Sequence, residues 1–433
     1  MTQRFLLFNF LCLTMLIQSC KKDQQPIGTP RGDLHIDSFA PETAAMDSVL
    51  VITGTNFSPD PTKNIVKFNG VTASVIAATA TTLTVRVPAG AVTGKISVET
   101  SGKVASSAKD FAYIYTVTTL AGDGIAGFKE GESSGAEFKL PYGIAVDASG
   151  NVYVGDGGNN RIRKVTTTGV VSTLAGNGNS GFVEGAADVA EFHNPEGVAV
   201  DASGNVFVAD FANYRVRKIS AGVVTTVAGN GIAGFKDGDA LTAQFFDPEG
   251  IAVDESGNLF VAEYGNSRIR KIATGVVTTH AGNGIEGFKD GAAMNAEFDS
   301  PFGVAADATG NVYVGDFRNN RIRKITESTV ATFAGDGTDG FKDGPGVTAQ
   351  FTRPQGVAVD ALGNVYVADR GNHRIRKITK DGTVTTIAGD GTPGFKNGTG
   401  VNAQFYFPSG IAVDASGNIY VTDYLNHCIR KLQ

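Results

Sequence analysis

The chain has 433 residues, of which 42% are hydrophobic and 18% are charged, and its formal net charge is −6. The apolar share excludes a disordered chain, the acidic balance argues against a nucleic-acid surface, and three cysteines are too few for a disulfide framework. The 56 glycines follow no collagen period and indicate an all-β protein with many tight turns.

The first 19 residues have the layout of a secretory signal. Arg4 precedes an apolar run from Phe5 to Ile17, which is too short to span a bilayer. The run leads to Cys20 and a polar stretch, and this segment resembles a bacterial lipoprotein signal that is cleaved before Cys20 and acylated there. The resemblance implies a lipid-anchored cell-envelope protein, expected at the outer membrane, with the side that it faces left open. An ordinary signal with a chance cysteine is the alternative.

Residues 20–32 carry proline, glycine and charge without an apolar period, so they are expected to form a tether. Residues 33–115 contain short alternating runs separated by turn residues, which predicts a β-sandwich. The segments Gly54-Thr55-Asn56-Phe57 and Phe68-Asn69-Gly70 resemble those of an IPT/TIG domain, an immunoglobulin-like module. The resemblance implies a spacer or a partner-binding module, and nothing in this stretch indicates catalysis.

Residues 116–433 repeat one frame six times, at steps of 53 or 54 residues. The frame opens with Pro-x-Gly, reaches an acid at the end of a second apolar run and continues to Asn-x-Arg-Ile-Arg-Lys. Each copy holds four strand-like runs, called a to d, and a four-stranded antiparallel sheet repeated around an axis is a propeller blade. In the first copy the runs are Gly143–Asp147, Asn151–Asp156, Arg161–Val165 and Val170–Leu174. The motif resembles the NHL repeat, so the expected fold is all-β, with an IPT/TIG sandwich followed by a six-bladed propeller.

The phase of the repeat predicts how the ring closes. The last copy stops just after strand c, at Leu432, and a d-like run, Val117–Leu120, precedes the first strand a. Six complete blades result only if this early strand joins the C-terminal sheet. The same pairing removes a free sheet edge.

Two sets of positions differ between copies while the frame around them is constant. One set lies between Pro and Gly at the start of strand a, and the other follows the acid that ends strand b. Connections in an antiparallel blade alternate between faces, so both sets are expected on the face of the long crossovers, around the channel mouth. The predicted ligand-binding residues are Tyr142, Glu196, Phe211, Glu249, Tyr264, Phe302, Phe317, Gln355, Arg370, Ser409 and Tyr424.

These aromatic and polar side chains are typical of a platform for a glycan or a peptide. The alternative is that the aromatic residues only pack against neighbouring crossovers, and the absence of Trp counts against a strong sugar platform. The whole layout resembles glycan-capturing envelope lipoproteins of Bacteroidetes-type bacteria. It implies a glycan or an envelope or extracellular protein as partner, membrane contact through the lipid alone, and no nucleic acid.

Other recurring groups are interpreted as structural. The acid that ends strand b is expected to form a buried network with the following Asn and Arg rather than a nucleic-acid patch. The Asx of each Ala-Gly-Asx-Gly segment suits calcium, yet it is interpreted as a turn residue. His373 and His427 occupy equivalent positions in adjacent copies, but the histidines show no metal-ligand spacing. Cys428 replaces the Arg of the other copies and is interpreted as a packing substitution.

A metal-dependent propeller hydrolase, lactonase or lyase is the competing interpretation. Glu196 and Glu249 come from adjacent copies and offer two carboxylates at the channel mouth. They have no evident third ligand or base, so no catalytic or metal-binding residue is assigned. No cofactor is expected, although calcium or another divalent ion in the channel is left open. A purely structural protein-interaction scaffold is the third interpretation.

Overall fold

The computed structural model describes residues 32–433, so the predicted lipoprotein signal and Cys20 lie outside the described residues. From residue 32 onward the protein consists of β-strands, turns and short 3₁₀ segments. No helix in this range has the length and apolarity that crossing a bilayer requires. The 3₁₀ segments are Pro61–Lys63, Ser133–Gly135, Gly157–Asn159, Phe211–Asn213, Ala293–Asn295, Gly346–Thr348, Arg370–Asn372, Gly400–Asn402 and Tyr424–Asn426.

The N-terminal domain is a sandwich of two packed sheets. Its strands are β1 (His35–Ala40), β2 (Thr43–Ala44), β3 (Val49–Thr55), β4 (Asn64–Phe68), β5 (Val71–Ala73), β6 (Val75–Ala78), β7 (Thr82–Arg86), β8 (Gly94–Thr100) and β9 (Lys103–Tyr113). One sheet has the order β1-β3-β7-β6 and the other β2-β9-β8-β4-β5. Alternate residues face the core, because Leu50 and Ile52 are buried while Val49 and Val51 are exposed.

Six sheets follow, arranged around an axis as the blades of a propeller. The innermost strands a lie side by side, and the sixth packs against the first, which closes the ring. An all-β fold with a sandwich and a six-bladed propeller is therefore confirmed. The strands a are Pro141–Val146, Pro195–Val200, Pro248–Val253, Pro301–Ala306, Pro354–Val359 and Pro408–Val413.

The remaining strands of each blade continue outward from strand a in the order b, c, d. Strands b are Val152–Asp156, Val206–Asp210, Leu259–Glu263, Val312–Asp316, Val365–Asp369 and Ile419–Asp423. Strands c are Arg161–Val165, Arg215–Ser220, Arg268–Ala273, Arg321–Ile325, Arg374–Ile378 and Cys428–Leu432. Strands d are Val171–Ala175, Val223–Ala228, Val276–Ala281, Thr329–Ala334, Thr383–Ala388 and Thr116–Ala121. Short fifth strands from the crossovers are Gly185–Ala186, Gly238–Asp239, Gly291–Ala292, Gly344–Pro345 and Gly398–Thr399.

The sixth blade is completed by the N-terminal strand, as the repeat phase predicts. Thr116–Ala121 pairs antiparallel with Cys428–Leu432, with Val117 opposite Leu432. The backbone N–H of Thr116 donates to the carbonyl of Gln433 at 2.7 Å, and the N–H of Gln433 donates back to Thr116 at 3.1 Å. The two ends of the propeller therefore hold each other in one sheet, and the predicted closure is confirmed.

The glycine of each Pro-x-Gly segment allows the strands a to approach closely. A Cβ added at Gly143 would lie 2.3 Å from the backbone oxygen of Glu196, and one added at Gly410 would lie 2.4 Å from that of Tyr142. Only glycine leaves room for the neighbouring backbone at these positions. The axis consequently holds a cavity of only about 60 Å³ between the strands a. The variable side chains that precede these glycines therefore form a floor across the channel.

A buried network fastens each long crossover to its blade. In the first blade Arg163 and Asn159 both donate to Asp156 Oδ2 at 2.9 Å, and Asp156 Oδ1 accepts from the backbone N–H of Lys139. Arg163 also donates to the crossover carbonyl of Glu137. The acid and the Arg are fully buried in every copy, so the predicted structural network is confirmed. The other pairs are Asp210–Arg217, Glu263–Arg270, Asp316–Arg323, Asp369–Arg376 and Asp423–Arg430.

The sandwich contacts the propeller on the face of the a–b and c–d turns. Gly90 lies against Ser416, in the a–b turn of the sixth blade. Tyr115, which follows β9, is buried in the core between the fifth and sixth blades. A cavity of about 520 Å³ between the two domains is lined by residues that include Tyr113 and Lys377. The opposite face, where the long crossovers lie, carries the funnel described below.

Candidate functional site

A funnel of about 800 Å³ opens at the axis on the crossover face. Strand a begins and strand b ends on this face; four blades contribute a side chain from the start of strand a, and five contribute one that follows strand b. Both variable sets therefore converge on the funnel. The predicted residues that line it are Tyr142, Glu196, Phe211, Glu249, Tyr264, Phe302, Phe317, Arg370 and Tyr424.

Two predicted residues lie deeper than the funnel wall. Gln355 is fully buried, and its Oε1 accepts a hydrogen bond from Arg370 Nη1 at 2.7 Å. Ser409 is 1% exposed and lines the small axial cavity instead. Both belong to the same ring of Pro-x-Gly residues as Glu196, but neither lines the open part of the site.

The residue before the proline also reaches the funnel in five of the six blades, and the sequence interpretation missed this set. All six residues before these prolines adopt φ values between +51° and +56°, a left-handed conformation that non-glycine residues rarely take. This position differs in all six copies, so the same variation that marked the other two sets could have identified it. The five that line the funnel are Leu140, Asn194, Asp247, Arg353 and Phe407.

Aromatic rings from different blades contact one another around the funnel. The ring of Tyr142 stacks on that of Phe302 with centroids 5.5 Å apart, and it meets Tyr424 edge-on at 5.1 Å. Phe302 also contacts Phe317 at 5.9 Å and Tyr264 at 6.5 Å. Tyr264, Phe317 and Tyr424 remain partly exposed, so each offers part of its ring to the funnel. Such rings present flat apolar surface to a ligand.

Arg370 is one of two cations that line the funnel. Its Nη1 donates to Gln355 and, at 3.3 Å, to the hydroxyl of Tyr142. Its guanidinium lies 4.8 Å from the ring centroid of Tyr424. Among residues 32–433 no acid lies within 4.0 Å of it as an ion-pair partner. The positive charge is therefore held by neutral groups beside the open cavity.

Glu196 and Glu249 lie next to each other on the floor, and each carboxyl affects the pKa of the other. Burial raises the pKa of Glu196 to about 7. Burial and the neighbouring charge of Glu196 raise the pKa of Glu249 well above its ordinary value, so Glu249 is the carboxyl that retains the proton. Asn194 Nδ2 donates to Glu196 Oε1 at 2.8 Å and orients that carboxyl. At neutral pH the pair therefore shares a proton.

The floor also concentrates buried polar atoms that lack a donor or acceptor partner in the described range. Four of its six Pro-x-Gly side chains carry such an atom. Native proteins satisfy most buried polar groups, so a cluster of exceptions requires an explanation. The atoms are Glu196 Oε2, Glu249 Oε2, Gln355 Nε2 and Ser409 Oγ.

The two histidines that share a loop position bind backbone rather than a metal. His373 Nδ1 accepts from the N–H of Phe407 at 3.1 Å, and His427 Nδ1 accepts from that of Leu140 at 3.3 Å. Each bond joins one blade to the next, and that of His427 spans the ring closure. Burial lowers the pKa of both imidazoles, which keeps them neutral acceptors.

The Asx residues that suited calcium form turns in all six copies. Each side-chain oxygen accepts the backbone N–H two residues further on, as Asp123 does from Ile125 at 2.8 Å. From residue 32 to the C-terminus, no three His, Cys, Asp or Glu side chains gather as metal ligands, the two floor glutamates included. The other copies are Asn177, Asn230, Asn283, Asp336 and Asp390.

Family models match both parts of the chain. The IPT/TIG domain model matches residues 34–113. The NHL repeat model matches residues 138–165, 192–219, 245–272, 298–325, 351–378 and 405–432.

Two curated relatives share the propeller part. Protein SUPPRESSOR OF QUENCHING 1, chloroplastic, of Arabidopsis thaliana is 30% identical over 283 residues, which cover 60% of this chain and 27% of that protein. NHL repeat-containing protein 2 of Bos taurus is 29% identical over 336 residues, which cover 68% of this chain and 46% of that protein. The chain spans less than half the length of either relative.

Solved structures resemble the whole fold. A protein of unknown function from Bacteroides thetaiotaomicron gives a TM-score of 0.64 at 22% identity, covering 93% of this chain and 98% of the other. An auxiliary nutrient binding protein from Bacteroides ovatus gives a TM-score of 0.57 at 20% identity, and the match covers 94% of this chain and 99% of the other. At these identities the likeness shows the fold alone. The chain is thus an NHL-repeat propeller protein with an N-terminal IPT/TIG domain.

Proposed function

We propose that this protein is a ligand-binding module that takes a glycan into the funnel, with the IPT/TIG domain as its spacer. The observation that carries the proposal is the floor of unpartnered buried polar atoms beneath aromatic walls. A buried polar group left without a partner costs about 1–3 kcal/mol, so four such groups in one ring disfavour a role in packing alone. Ligand hydroxyls can supply partners to Glu196 and Glu249, which line the funnel, whereas Gln355 and Ser409 lie below its open part. The funnel volume of about 800 Å³ suits a small ligand.

A glycan fits this distribution of side chains better than a purely apolar ligand. A sugar ring has an apolar C–H face that can lie on an aromatic ring, and a hydroxyl edge that needs donors and acceptors. Tyr264 and Phe317 offer ring surface in the wall, while Arg370 and Glu196 offer a donor and an acceptor deeper in the funnel. The Bacteroides ovatus neighbour of similar fold is an auxiliary nutrient binding protein, which supports a binding role.

The binding test uses the full chain in detergent and a panel of immobilised polysaccharides. We expect retention on at least one polysaccharide, and loss of that retention in the double variant Tyr264→Ala/Phe317→Ala. Phe246→Ala is the matched control, because this aromatic side chain is 38% exposed on the same face but does not line the funnel. Failure of the protein to bind any polysaccharide, or equal binding by the double variant, would contradict the proposal.

The proposal includes a lipid anchor at Cys20 that holds the protein on the cell envelope, expected at the outer membrane. The sequence around Cys20 supports it, and so does the position of the sandwich on the turn face, which leaves the funnel mouth uncovered. We expect the chain to incorporate labelled palmitate in bacteria and to fractionate with membranes. The Cys20→Ser variant should lose both properties. Palmitate incorporation that persists in Cys20→Ser would overturn this part of the proposal.

A further inference from the structure

The floor of the funnel is acidic at one side, and its acids lack basic partners. Glu196 and Glu249 are 4% and 5% exposed, and Asp247 lines the funnel above them. Of the two bases that line the funnel, Arg370 is bonded to Gln355 and Tyr142 and forms no ion pair with the glutamates, although its charge opposes the rise in their pKa, and Arg353 is exposed. No Lys or Arg within residues 32–433 forms an ion pair with either glutamate.

Two buried carboxyls in contact need one positive charge between them. Without a ligand, the shared proton meets this need. Even with this proton in place, Oε2 of each glutamate accepts no hydrogen bond from a nitrogen or hydroxyl of the described residues. A protonated amine would supply the positive charge and up to three N–H donors at the same place. Charge-assisted hydrogen bonds of this kind are roughly twice as strong as neutral ones.

Aromatic side chains stand on either side of the two glutamates. In the ring of Pro-x-Gly residues, Tyr142 precedes Glu196 and Phe302 follows Glu249, each from the adjacent blade. The rings of Tyr142 and Phe302 stack on each other at 5.5 Å. A cation gains from an aromatic ring when it lies over an open face, so an ammonium group bonded to the glutamates can gain this contact only from the faces that the stacking of Tyr142 on Phe302 leaves open.

We propose that the ligand of the funnel is an amino sugar whose protonated amine takes the place of the proton shared by Glu196 and Glu249. This inference rests on the proposed glycan-binding function and names its ligand class. Binding forms N–H···O bonds to the two carboxylates and releases the shared proton to solvent, so charge and protons balance. The sugar ring then lies against the aromatic wall above the floor.

The pH dependence of binding follows from the groups around the pair. The titratable and charged side chains that face it are Asp247, Tyr142, Tyr424 and Arg370. Burial raises the pKa of both tyrosines, so they stay neutral at the pH of the experiment. The amine requires the ionised pair, so the affinity should fall as the pH drops below about 7.

The test compares a glucosamine trimer with its fully N-acetylated counterpart, by calorimetric titration of the full chain in detergent. The two probes share one backbone, and N-acetylation replaces each positive charge with a neutral amide that carries an added acetyl group. We expect the amine trimer to bind at least about tenfold more tightly, which corresponds to about 1.4 kcal/mol. Titration at pH 7.5 in buffers of different ionisation enthalpy should show proton release with this trimer alone.

The glutamate dependence is tested with Glu249→Gln and a control of equal charge change. Glu249→Gln should reduce the difference between the two trimers to less than about threefold, because one carboxylate no longer pairs with the amine. Glu255→Gln, at an exposed position in the third a–b turn, should leave the difference unchanged. If Glu249→Gln does not melt cooperatively, the pH profile of the natural chain replaces it.

The outcomes separate this inference from the function on which it rests. Equal binding of the two trimers, or binding of the acetylated trimer alone, overturns the amine site and leaves the glycan funnel standing. Failure of both trimers to bind overturns the amino-sugar assignment, while the polysaccharide panel continues to test the broader function. An affinity for the amine trimer that does not change between pH 6 and pH 8 also overturns the inference.

Discussion

Two sets of buried acids lie in the propeller, and they differ in how often they recur among the blades and in the partners of their carboxyl groups. The network acids recur at the end of strand b in all six blades, and each pairs with an Arg at 2.6 to 2.9 Å. The floor acids occur in two adjacent blades only, and their partner is each other. The carboxylates that every copy repeats have their hydrogen bonds filled by the scaffold, whereas the floor carboxyls occur in two copies and each keeps one oxygen without a bond from a nitrogen or hydroxyl of the described residues.

The hydrogen bonds make the same distinction. Asp210 Oδ1 accepts from the backbone N–H of His193, and its Oδ2 accepts from Asn213 and Arg217. Both carboxylate oxygens of Asp210 therefore already accept hydrogen bonds from the protein, and the Asp210 and Arg217 side chains are buried from solvent. Glu249, by contrast, has an orphaned Oε2 and lines an open funnel. Burial alone therefore does not distinguish the two sets of acids; the state of their hydrogen-bond partners does.

The largest expected effect comes from removing a network acid. Asp210→Ala leaves Arg217 buried without its counter-charge, which should lower the free energy of unfolding by about 3–5 kcal/mol. Chemical denaturation of the full chain in detergent measures this loss. Asp188→Ala, at an exposed position in the same crossover, should change stability by less than about 0.5 kcal/mol. A loss below about 1 kcal/mol for Asp210→Ala would contradict the structural role of the network.

A smaller effect of opposite sign is expected on the floor. The folded-state pKa of Glu196 is raised from 4.5 to about 7, so this carboxyl costs stability as the pH rises through that interval. Glu196→Gln removes the cost and should be more stable than the natural chain at pH 8, by an amount on the order of 2 kcal/mol. The two proteins should have equal stability below pH 4.5. Thermal unfolding at pH 4, 6 and 8 checks this, and a variant less stable at pH 8 would refute it.

The smallest expected effect concerns the blade that departs from the repeat. In the first blade the guanidinium of Arg161 lies 3.8 Å from the ring centroid of Phe128, and four other blades repeat this contact. The sixth blade has Cys428 at this position. Cys428→Arg should restore a cation–π contact with Phe395 and raise stability by about 0.5–1 kcal/mol. A lower melting temperature for this variant would show that the sixth blade has repacked around the cysteine.

Much of the fold is readable from the sequence because it depends on local repetition. The spacing of Pro-x-Gly segments predicts the blades, and the missing last strand predicts the closure that Thr116–Ala121 provides. In the first blade, strand bounds differ from the prediction by two residues or fewer. The acid, Asn and Arg of each network lie close along one hairpin, so their contact also follows from the repeat.

The funnel was harder to predict because it joins side chains from different blades. Variation between copies indicated the correct face and ring, but not that Gln355 lies beneath Arg370 or that Ser409 faces the axial cavity. The residues before the prolines were missed because their approach to the axis depends on a left-handed backbone conformation that non-glycine residues seldom adopt. The contact between Glu196 and Glu249 depends on how closely adjacent strands a pack, which only the structure shows.

The most direct test of the distinction between the network acids and the floor acids is a pH titration of the two floor carboxyls, Glu196 and Glu249. The chain is labelled with ¹³C at the glutamate carboxyl, and NMR signals are assigned by their loss in Glu196→Gln and Glu249→Gln. We predict that Glu196 titrates near pH 7 and that Glu249 stays protonated well above its ordinary range. Titration of both carboxyls near pH 4.5 would mean that the floor acids are solvated or already paired. That result would contradict the account of the funnel as an unsatisfied binding site.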